Sequence, residues 1–301
     1  MKRKMKTWLL VLWAWAVMLP AQAALSWSVQ DSVVTRLTDI YFVDADNGWI
    51  ITETDTIYHT HDGGLTWSVQ KSGSKYALTA VHFVDALNGW AVGDVGTILH
   101  TSNGGETWQP QSSGVYDLLV STQFIDANKG WAVGEAGVVL HTVNGGASWE
   151  NFIVPSDITE HQSVFFLNEQ RGWVVGALDE SAHLIQTLDG GLTWTTVLHD
   201  TSYGPMRCVQ FVDANTGWVG GMAGAILKTE DGGATWMQQF KASDGEQIRG
   251  LYFHNAQIGW AIGLKNKFLY TSNGGAVWDS VATPVSKRLT DVYFVDAENG
   301  W

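Results

Sequence analysis

Short apolar segments alternate with short polar turns along most of this chain. Within residues 77–112, Leu78 to Val84 is rich in β-branched and aromatic residues, and polar turns separate it from Trp90 to Gly93 and from Thr97 to Thr101. A Gly-Gly turn then leads to a fourth extended segment, Thr107 to Gln111. Short strands bounded by Gly, Asp and Asn predict a four-stranded antiparallel sheet, and no segment shows convincing helical periodicity.

Two sequence marks show that this unit is repeated. An eight-residue turn, Thr-x-Asp/Asn-Gly-Gly-x-x-Trp, begins at Thr60, Thr101, Thr142, Thr187, Thr229 and Thr271 and ends at Trp67, Trp108, Trp149, Trp194, Trp236 and Trp278. A second mark, Gly-Trp, places its tryptophan at positions 49, 90, 131, 173, 218, 260 and 301. The spacing of 41 to 45 residues is typical of a repeat architecture, and four-stranded repeats of this length predict a β-propeller.

The expected fold is therefore all-β, a seven-bladed propeller over residues 24–301. Six complete repeats are expected near residues 32–71, 74–112, 115–153, 159–198, 203–240 and 246–281. The string Leu-Ser-Trp-Ser-Val-Gln at 25–30 closely matches the outer strand of the first repeat, and residues 287–301 match the start of a repeat. We expect a seventh blade built from residues 24–30 and 287–301, which would close the ring and hide its sheet edges. Because that blade lacks its middle strands and its Gly-Gly turn, we expect the natural protein to continue past Trp301.

The N-terminus is expected to be a leader rather than part of the propeller. Four basic residues among the first six precede an apolar run from Trp8 to Leu19, and Ala21-Gln22-Ala23 matches a cleavage site. The run is too short to span a bilayer, so residues 1–23 are predicted to be a secretory signal peptide. An uncleaved anchor is the alternative. The mature protein is expected in the periplasm or outside the cell, without inserting into the membrane.

The charge balance argues against nucleic acid as a partner. The net charge is −13, and removing the four basic residues of the leader takes it to −17, which disfavours binding to polyanions.

Cys208 is the single cysteine, so no intramolecular disulfide can form. Its apolar surroundings favour a buried, unreactive thiol.

The carboxylates of the Gly-Gly turns are not expected to bind metal. Their position is occupied by Asp62, Asp189 and Asp231 in three copies and by Asn103, Asn144 and Asn273 in the others. The exchange keeps a hydrogen-bond acceptor but not the charge, which indicates a turn-forming role, with the trailing tryptophan packed over the hairpin. His59, His100 and His141 recur once per repeat, too far apart to share a zinc ion. No cofactor is predicted.

The repeat resembles two groups of known propellers. The turn alone resembles the Asp-box of bacterial neuraminidase repeats. The fuller pattern, Phe-Val-Asp-Ala-x-x-Gly-Trp-Ala-Val-Gly-x-x-Gly-x-Ile-Leu-His-Thr-x-Asn-Gly-Gly-x-x-Trp, is similar to the photosystem II stability/assembly factor family over nearly the whole mature chain. This resemblance implies an exported, non-enzymatic, seven-bladed protein. In phototrophs such proteins act in the thylakoid lumen as assembly chaperones that bind a reaction-centre subunit, and related sequences occur in bacteria without photosynthesis.

Four arginines are the candidate partner-binding residues. Counted back from the nearest Gly-Trp glycine, Arg36 and Arg288 lie twelve residues before it, and Arg207 and Arg249 lie ten before it. Alternate residues of a strand share a face, so all four are expected on one face at the start of the innermost strands of consecutive blades. The family resemblance includes an arginine-rich patch that contacts a partner protein. Because arginine pairs bidentately with carboxylates, an acidic peptide or a membrane-protein subunit is the expected partner. The alternative is that each arginine pairs with a nearby carboxylate of this acidic protein.

Three classes of function are compatible with the sequence. The main expectation is a non-catalytic scaffold that binds another protein and acts as a monomer. A sialidase-like glycoside hydrolase would need an arginine cluster, a tyrosine nucleophile and a glutamate, but its catalytic groups usually lie on large insertions that these uniform repeats lack. The third class is binding of glycans or of the cell surface, in which exposed tryptophan rings would stack against the ligand. Against it, thirteen of the seventeen tryptophans occupy the two repeated positions, where packing is expected.

Overall fold

The computed structural model describes residues 36–152, 154, 160–178, 180–243, 245–263, 267–283 and 289–301. Within these residues, strands β1 to β24 form six four-stranded antiparallel sheets, in each of which the strands are hydrogen-bonded in chain order. The prediction of a propeller with four-stranded antiparallel blades is confirmed. The predicted signal peptide, residues 1–23, lies outside the described residues.

The innermost and second strands carry most of the buried residues. The innermost strands are β1 (Leu37–Phe42), β5 (Leu78–Phe83), β9 (Leu119–Phe124), β13 (Glu160–Phe166), β17 (Met206–Phe211) and β21 (Ile248–Phe253). The second strands are β2 (Gly48–Thr52), β6 (Gly89–Gly93), β10 (Gly130–Gly134), β14 (Gly172–Leu178), β18 (Gly217–Gly221) and β22 (Gly259–Gly263). Second strands are apolar and almost wholly buried because another strand covers each edge and a neighbouring blade covers each face.

The outer half of each blade is more polar. The third strands are β3 (Thr56–Thr60), β7 (Thr97–Thr101), β11 (Val139–Thr142), β15 (Ser181–Thr187), β19 (Ala225–Thr229) and β23 (Phe268–Thr271). The outer strands are β4 (Ser68–Lys71), β8 (Gln109–Gln111), β12 (Glu150–Asn151), β16 (Thr195–Asp200), β20 (Met237–Lys241) and β24 (Asp279–Ser280). The short, largely exposed outer strands are typical of protected sheet edges.

The structure has six blades rather than the seven predicted. Of the residues assigned to a seventh blade, 24–30 and 287–288 lie outside the described residues. Residues 289–301 form an isolated bridge between Phe294 and Gly300, with two backbone hydrogen bonds of 2.9 and 2.8 Å between Tyr293 and Trp301. The described residues supply no third or fourth strand to pair with this segment, and a blade needs those strands for its hydrogen-bond ladder.

Residues 289–301 contact both the sixth and the first sheets. Phe294 stacks on Trp260 of the sixth sheet with ring centroids 3.7 Å apart, and Trp301 stacks on Phe42 of the first sheet at 3.6 Å. The Tyr293 ring lies 4.7 Å from the ring of Tyr41 in β1.

An aromatic sandwich joins each blade to the next. Phe83 lies directly on Gly89 of its own blade, where an added Cβ would come within 2.4 Å of the ring. Trp49 of the preceding blade stacks on the other face of Phe83, 3.5 Å between centroids, and the Trp108 ring meets its edge at 5.8 Å. The Trp49 indole also donates a hydrogen bond of 3.1 Å to the carbonyl of Gly104 in the next Gly-Gly turn. The Gly-Trp motif therefore requires glycine, because any larger residue at this position would clash with the phenylalanine ring.

The sandwich recurs with nearly constant geometry. The stacked pairs are Trp49–Phe83, Trp90–Phe124, Trp131–Phe166, Trp173–Phe211, Trp218–Phe253, Trp260–Phe294 and Trp301–Phe42, with centroids 3.5 to 3.7 Å apart. Each phenylalanine precedes its glycine by six residues. Stacked, fully buried rings of this size are a large source of apolar stabilisation in a domain.

The Gly-Gly turns show why Asp and Asn exchange in this sequence. In one copy, Asp189 Oδ1 accepts from the Thr187 hydroxyl at 2.8 Å and from the Thr193 amide at 2.9 Å, and its Oδ2 accepts from the Thr193 hydroxyl at 2.6 Å. In another, Asn103 keeps both Oδ1 bonds, and its Nδ2 donates to the Thr107 hydroxyl at 3.0 Å. Because a hydroxyl both donates and accepts, it reverses its role and the turn is unchanged.

We predict that Asp189→Asn leaves the free energy of unfolding within about 0.5 kcal/mol of wild type, because every hydrogen bond can be kept. Asp189→Ala should cost about 1–3 kcal/mol, because Thr187 and the Thr193 amide lose their acceptor. Urea unfolding of the three proteins measures both effects. An equal cost for the two substitutions would show that the carboxylate charge itself matters.

A second prediction distinguishes the contribution of the tryptophan indole hydrogen bond to stability from that of the tryptophan–phenylalanine stacking. The Trp131 indole donates to the Gly190 carbonyl at 3.1 Å, whereas the buried Trp260 indole nitrogen has no hydrogen-bond partner among the described residues. Trp131→Phe should therefore destabilise the protein by about 1 kcal/mol more than Trp260→Phe, although both lose similar packing. Urea unfolding of the two variants measures the difference, and equal destabilisation would contradict it.

A third prediction concerns a histidine in the core of the fourth blade. His161 is fully buried at a position that the other innermost strands fill with Leu37, Leu78, Leu119, Met206 and Ile248. Burial lowers the pKa of His161 to about 4, so the unfolded chain takes up a proton more readily than the folded one. Stability contributed by the neutral ring is present above the unfolded pKa of about 6.5 and is lost as the pH falls toward 4.

Between about pH 7.5 and 4.5, the wild type should therefore lose about 2–3 kcal/mol more of its free energy of unfolding than His161→Leu, which has no titrating group at this position. Chemical denaturation at the two pH values measures the difference. His199→Leu is the matched control, because His199 is exposed on the outer strand of the same blade. An unchanged acid sensitivity in His161→Leu would contradict the prediction.

Candidate functional site

Every innermost strand of the six sheets carries a β-bulge near its start. The register with the second strand skips one residue in each blade, namely Thr38, Thr79, Val120, Gln162, Arg207 and Arg249. A bulge interrupts the strict alternation of faces, so the extra residue and its successor can both point toward one side.

The bulges surround a pocket of about 300 Å³ at the mouth of the central channel. Its lining includes one consecutive pair from each of the six blades and one from the segment 289–301: Thr38-Asp39, Thr79-Ala80, Val120-Ser121, Gln162-Ser163, Arg207-Cys208, Arg249-Gly250 and Thr290-Asp291. The charged members of this lining are two arginines and two aspartates.

Arg207 and Arg249 lie on the adjacent strands β17 and β21 and are both half-buried. Arg207 donates to the Gln162 side-chain oxygen at 3.3 Å and to the Met222 sulfur at 3.7 Å, both neutral acceptors. Arg249 donates to the Gln247 side-chain oxygen at 3.2 Å. The two guanidinium groups are thus oriented at the pocket wall, where they can pair with an incoming anion.

The other two candidate arginines lie elsewhere. Arg36 is exposed, is absent from the pocket lining, and places its Nη1 4.0 Å from Glu53 Oε2. Arg288 lies outside the described residues. Arg36 precedes the bulge residue of its strand by two positions, whereas Arg207 and Arg249 are themselves the bulge residues. Arg36 also precedes β1, which begins at Leu37, so strand alternation does not fix the direction of its side chain. Among the described residues, the structure therefore brings together only two of the four.

Two aspartates of this site were missed by reasoning from the sequence. The side chains of Asp39 and Asp291 are hydrogen-bonded to each other, and Asp39 also accepts from the Val81 amide at 2.7 Å and the Ile40 amide at 2.9 Å. Burial raises the pKa of both carboxyls, and the neighbouring charge of Asp39 raises the pKa of Asp291 further. The available signal was the string Leu-Thr-Asp-x-Tyr-Phe, present at 37–42 and 289–294 only.

The remaining sequence candidates make packing contacts, although the partly buried Cys208 also lines the pocket. Cys208 donates weakly to the Gly220 carbonyl at 3.6 Å, and burial raises the pKa of its thiol to about 12. The three repeated histidines, His59, His100 and His141, stack on Trp49, Trp90 and Trp131, with centroids 4.4 to 4.9 Å apart. Within the described ranges, no three histidine, cysteine or acidic side chains are grouped to hold a metal ion. The same residues include no helix with the length and apolarity needed to cross a membrane.

A larger pocket, about 500 Å³, lies between the loops 72–76 and 112–116. Exposed Tyr76 and Tyr116 flank it, and Lys75 is the one charged residue in its lining. The channel mouth, by contrast, gathers convergent charges from several blades, which favours it as the candidate site.

Comparison with known proteins agrees with the resemblance seen in the repeat. The family described as photosynthesis system II assembly factor YCF48 matches overlapping stretches of the chain, 19–113, 69–159, 108–207, 154–239 and 202–289. Among curated proteins, no sequence matches this chain.

Solved structures share the fold. A structure described as YCF48 bound to D1 peptide is 17% identical, with a TM-score of 0.74 over 98% of this chain and 95% of that chain. YCF48 from Cyanidioschyzon merolae is 19% identical, with a TM-score of 0.73 over 95% of both chains. The GH74 xyloglucanase from Xanthomonas campestris is 12% identical, with a TM-score of 0.69 over 86% of this chain and 49% of that chain. At such identities the structural likeness shows the fold alone.

Proposed function

Because this chain belongs to the photosynthesis system II assembly factor YCF48 family, we propose that it is a protein-binding propeller whose channel mouth holds an acidic segment of a partner protein. The observation that carries the proposal is the placement of Arg207 and Arg249 on adjacent bulges of one concave pocket. A pocket of about 300 Å³ accommodates a side chain or a chain end rather than a folded domain. The partner segment therefore lies across the mouth and inserts a carboxylate.

The family gives the proposal a specific partner class. One solved YCF48 structure contains a D1 peptide. By analogy, the partner of this chain is a peptide segment of a membrane-protein subunit, and the propeller acts as its assembly chaperone. Paired arginines suit this role, since each guanidinium binds a carboxylate through two parallel hydrogen bonds.

A non-catalytic role accounts better for the channel carboxyls than glycoside hydrolysis does. Asp39 and Asp291 are hydrogen-bonded to each other, whereas the two carboxyls of a glycosidase stand about 5–9.5 Å apart across the scissile bond. Glycan binding through Gly-Trp tryptophans is likewise disfavoured, because six of these rings are fully buried. The likeness to GH74 enzymes extends to the fold alone.

The proposal also covers the cellular location of the protein, its oligomeric state and the closure of the propeller ring. The basic and apolar leader supports export to the periplasm, or to the thylakoid lumen in a phototroph, and the protein acts as a monomer. Residues 289–301 connect the sixth sheet to the first through the same aromatic stacking that joins the other blades. In support, the Trp301 indole donates to the Gly63 carbonyl at 2.9 Å, as Trp49 does to Gly104 at 3.1 Å.

The double variant Arg207→Gln and Arg249→Gln tests the site. Wild type should bind both the D1 peptide and a capped peptide of three aspartates, and the double variant should lose at least about tenfold in affinity, because a charge-assisted hydrogen bond contributes about 1.5–3 kcal/mol. Fluorescence anisotropy with labelled peptides measures the affinities, and thermal unfolding checks that the fold is kept.

Arg36→Gln is the matched control, since Arg36 lies outside the pocket beside Glu53. It should change the affinity less than about twofold. Unchanged binding by the double variant would reject the channel mouth as the site. If wild type bound neither peptide, the proposed partner class would be wrong.

A further inference from the structure

We propose that the channel mouth binds its anionic ligand together with a proton, which is held by the hydrogen-bonded pair Asp39 and Asp291 in the same pocket as Arg207 and Arg249. The inference rests on the proposed function of this site and adds its regulation: the proton state of the aspartate pair sets the affinity of the arginines for a carboxylate.

The four charged groups sit on neighbouring strands around the channel. Arg207 and Arg249 belong to β17 and β21, Asp291 to the segment that follows around the circle, and Asp39 to β1. Asp291 Oδ1 lies 3.2 Å from the Cβ position of Gly250, the residue after Arg249. The absence of a side chain at Gly250 therefore lets the Asp291 carboxyl come close to the strand that carries Arg249.

The contact between the two carboxyls, rather than their backbone hydrogen bonds, decides which of them holds the proton, because backbone amides donate to both: Val81 and Ile40 to Asp39, and Val292 and Ile40 to Asp291. Asp39 accepts from the amides of Val81 and Ile40 at 2.7 and 2.9 Å, and these bonds favour its ionised form. Asp291 is buried beside that negative charge, so its pKa is raised well above the ordinary aspartate value. Asp291 is accordingly the protonated partner and donates to Asp39, and the two carboxyls titrate as a pair.

The other titratable groups that face the pair keep their charge state near neutral pH. Burial raises the pKa of Cys208 and of Tyr252 to about 12 and raises the pKa of Tyr41 and Tyr293 as well, so all four stay neutral. Burial lowers the pKa of His82 to about 3, so its ring is neutral too. The two arginines remain charged throughout. Among the groups that the structure describes around the pair, the carboxyl pair is thus the element that changes charge.

The direction of the effect follows from the charge count. With Asp291 protonated, the charged residues described in the lining are two arginines and one carboxylate. Loss of that proton adds a second negative charge to the same lining. Anion affinity should therefore fall as the pH rises through the raised pKa of Asp291, and by linkage a bound anion must raise that pKa in return. Since the proton also favours the folded state, wild-type thermal stability should fall over the same rise in pH.

The test is binding of a rhodamine-labelled, capped peptide of three aspartates from about pH 5.5 to about 8.5 at fixed ionic strength, where the probe stays ionised. Wild-type affinity should fall by about tenfold over this range, a usual size for coupling between two sites. Asp291→Asn is neutral at every pH and keeps a donor toward Asp39. It should hold the affinity near the wild-type low-pH value and remove the fall in thermal stability that accompanies rising pH in the wild type.

Calorimetric titration in two buffers of different ionisation enthalpy measures the proton directly. Wild type should take up a fraction of a proton per peptide bound at the pH where its affinity is falling, and Asp291→Asn should take up none there. Glu53→Gln is the control, because it removes an exposed carboxylate beside Arg36 and outside the pocket. Its pH profile should match wild type.

Binding without proton uptake, or an Asp291→Asn profile identical to wild type, would overturn the inference while leaving the binding site in place. Absence of peptide binding at every pH would instead overturn the proposed function, and the inference with it. Should Asp291→Asn fail to fold, the calorimetric measurement on wild type still decides between uptake and no uptake.

Discussion

The contact on which this propeller depends is a phenylalanine ring held between a glycine of its own blade and a tryptophan of the preceding one. At Phe83 the ring lies so close to Gly89 that a Cβ there would fall within 2.4 Å, and Trp49 stacks on the other face at 3.5 Å. The same tryptophan reaches the Gly-Gly turn of the next blade through its indole. Neither blade completes its core alone, so stability is shared between nearest neighbours.

This repeated contact fixes the blades and leaves the start of each innermost strand free to vary. Each bulge presents two consecutive side chains to the channel, and their identities differ from blade to blade, from Thr79-Ala80 to Arg207-Cys208. The packing positions are nearly uniform, whereas the channel positions carry the chemistry. Such a division is what allows one propeller fold to serve unrelated functions.

Electrostatics make the channel mouth unusual for so acidic a protein. With a net charge of −13, the chain nevertheless places two half-buried arginines at one pocket. The two carboxyls in the same pocket share a hydrogen bond, and the proton in it reduces the negative charge near the arginines. A site of this kind can attract an anion locally although the protein as a whole repels anions.

The sequence by itself determined the repeat unit, the four-stranded antiparallel blade and the family, because strand propensity and turn chemistry act between residues close in the chain. The exchange of Asp189 for Asn103 at equivalent turns already indicated an acceptor rather than a metal ligand. Only the tertiary structure decided which side chains meet in the channel. Arg36 lies before its strand and outside the pocket that contains Arg207, and the circular arrangement brought Asp39 to Asp291 from distant parts of the chain. Register shifts and long-range contacts arise from packing between blades, which no local pattern encodes.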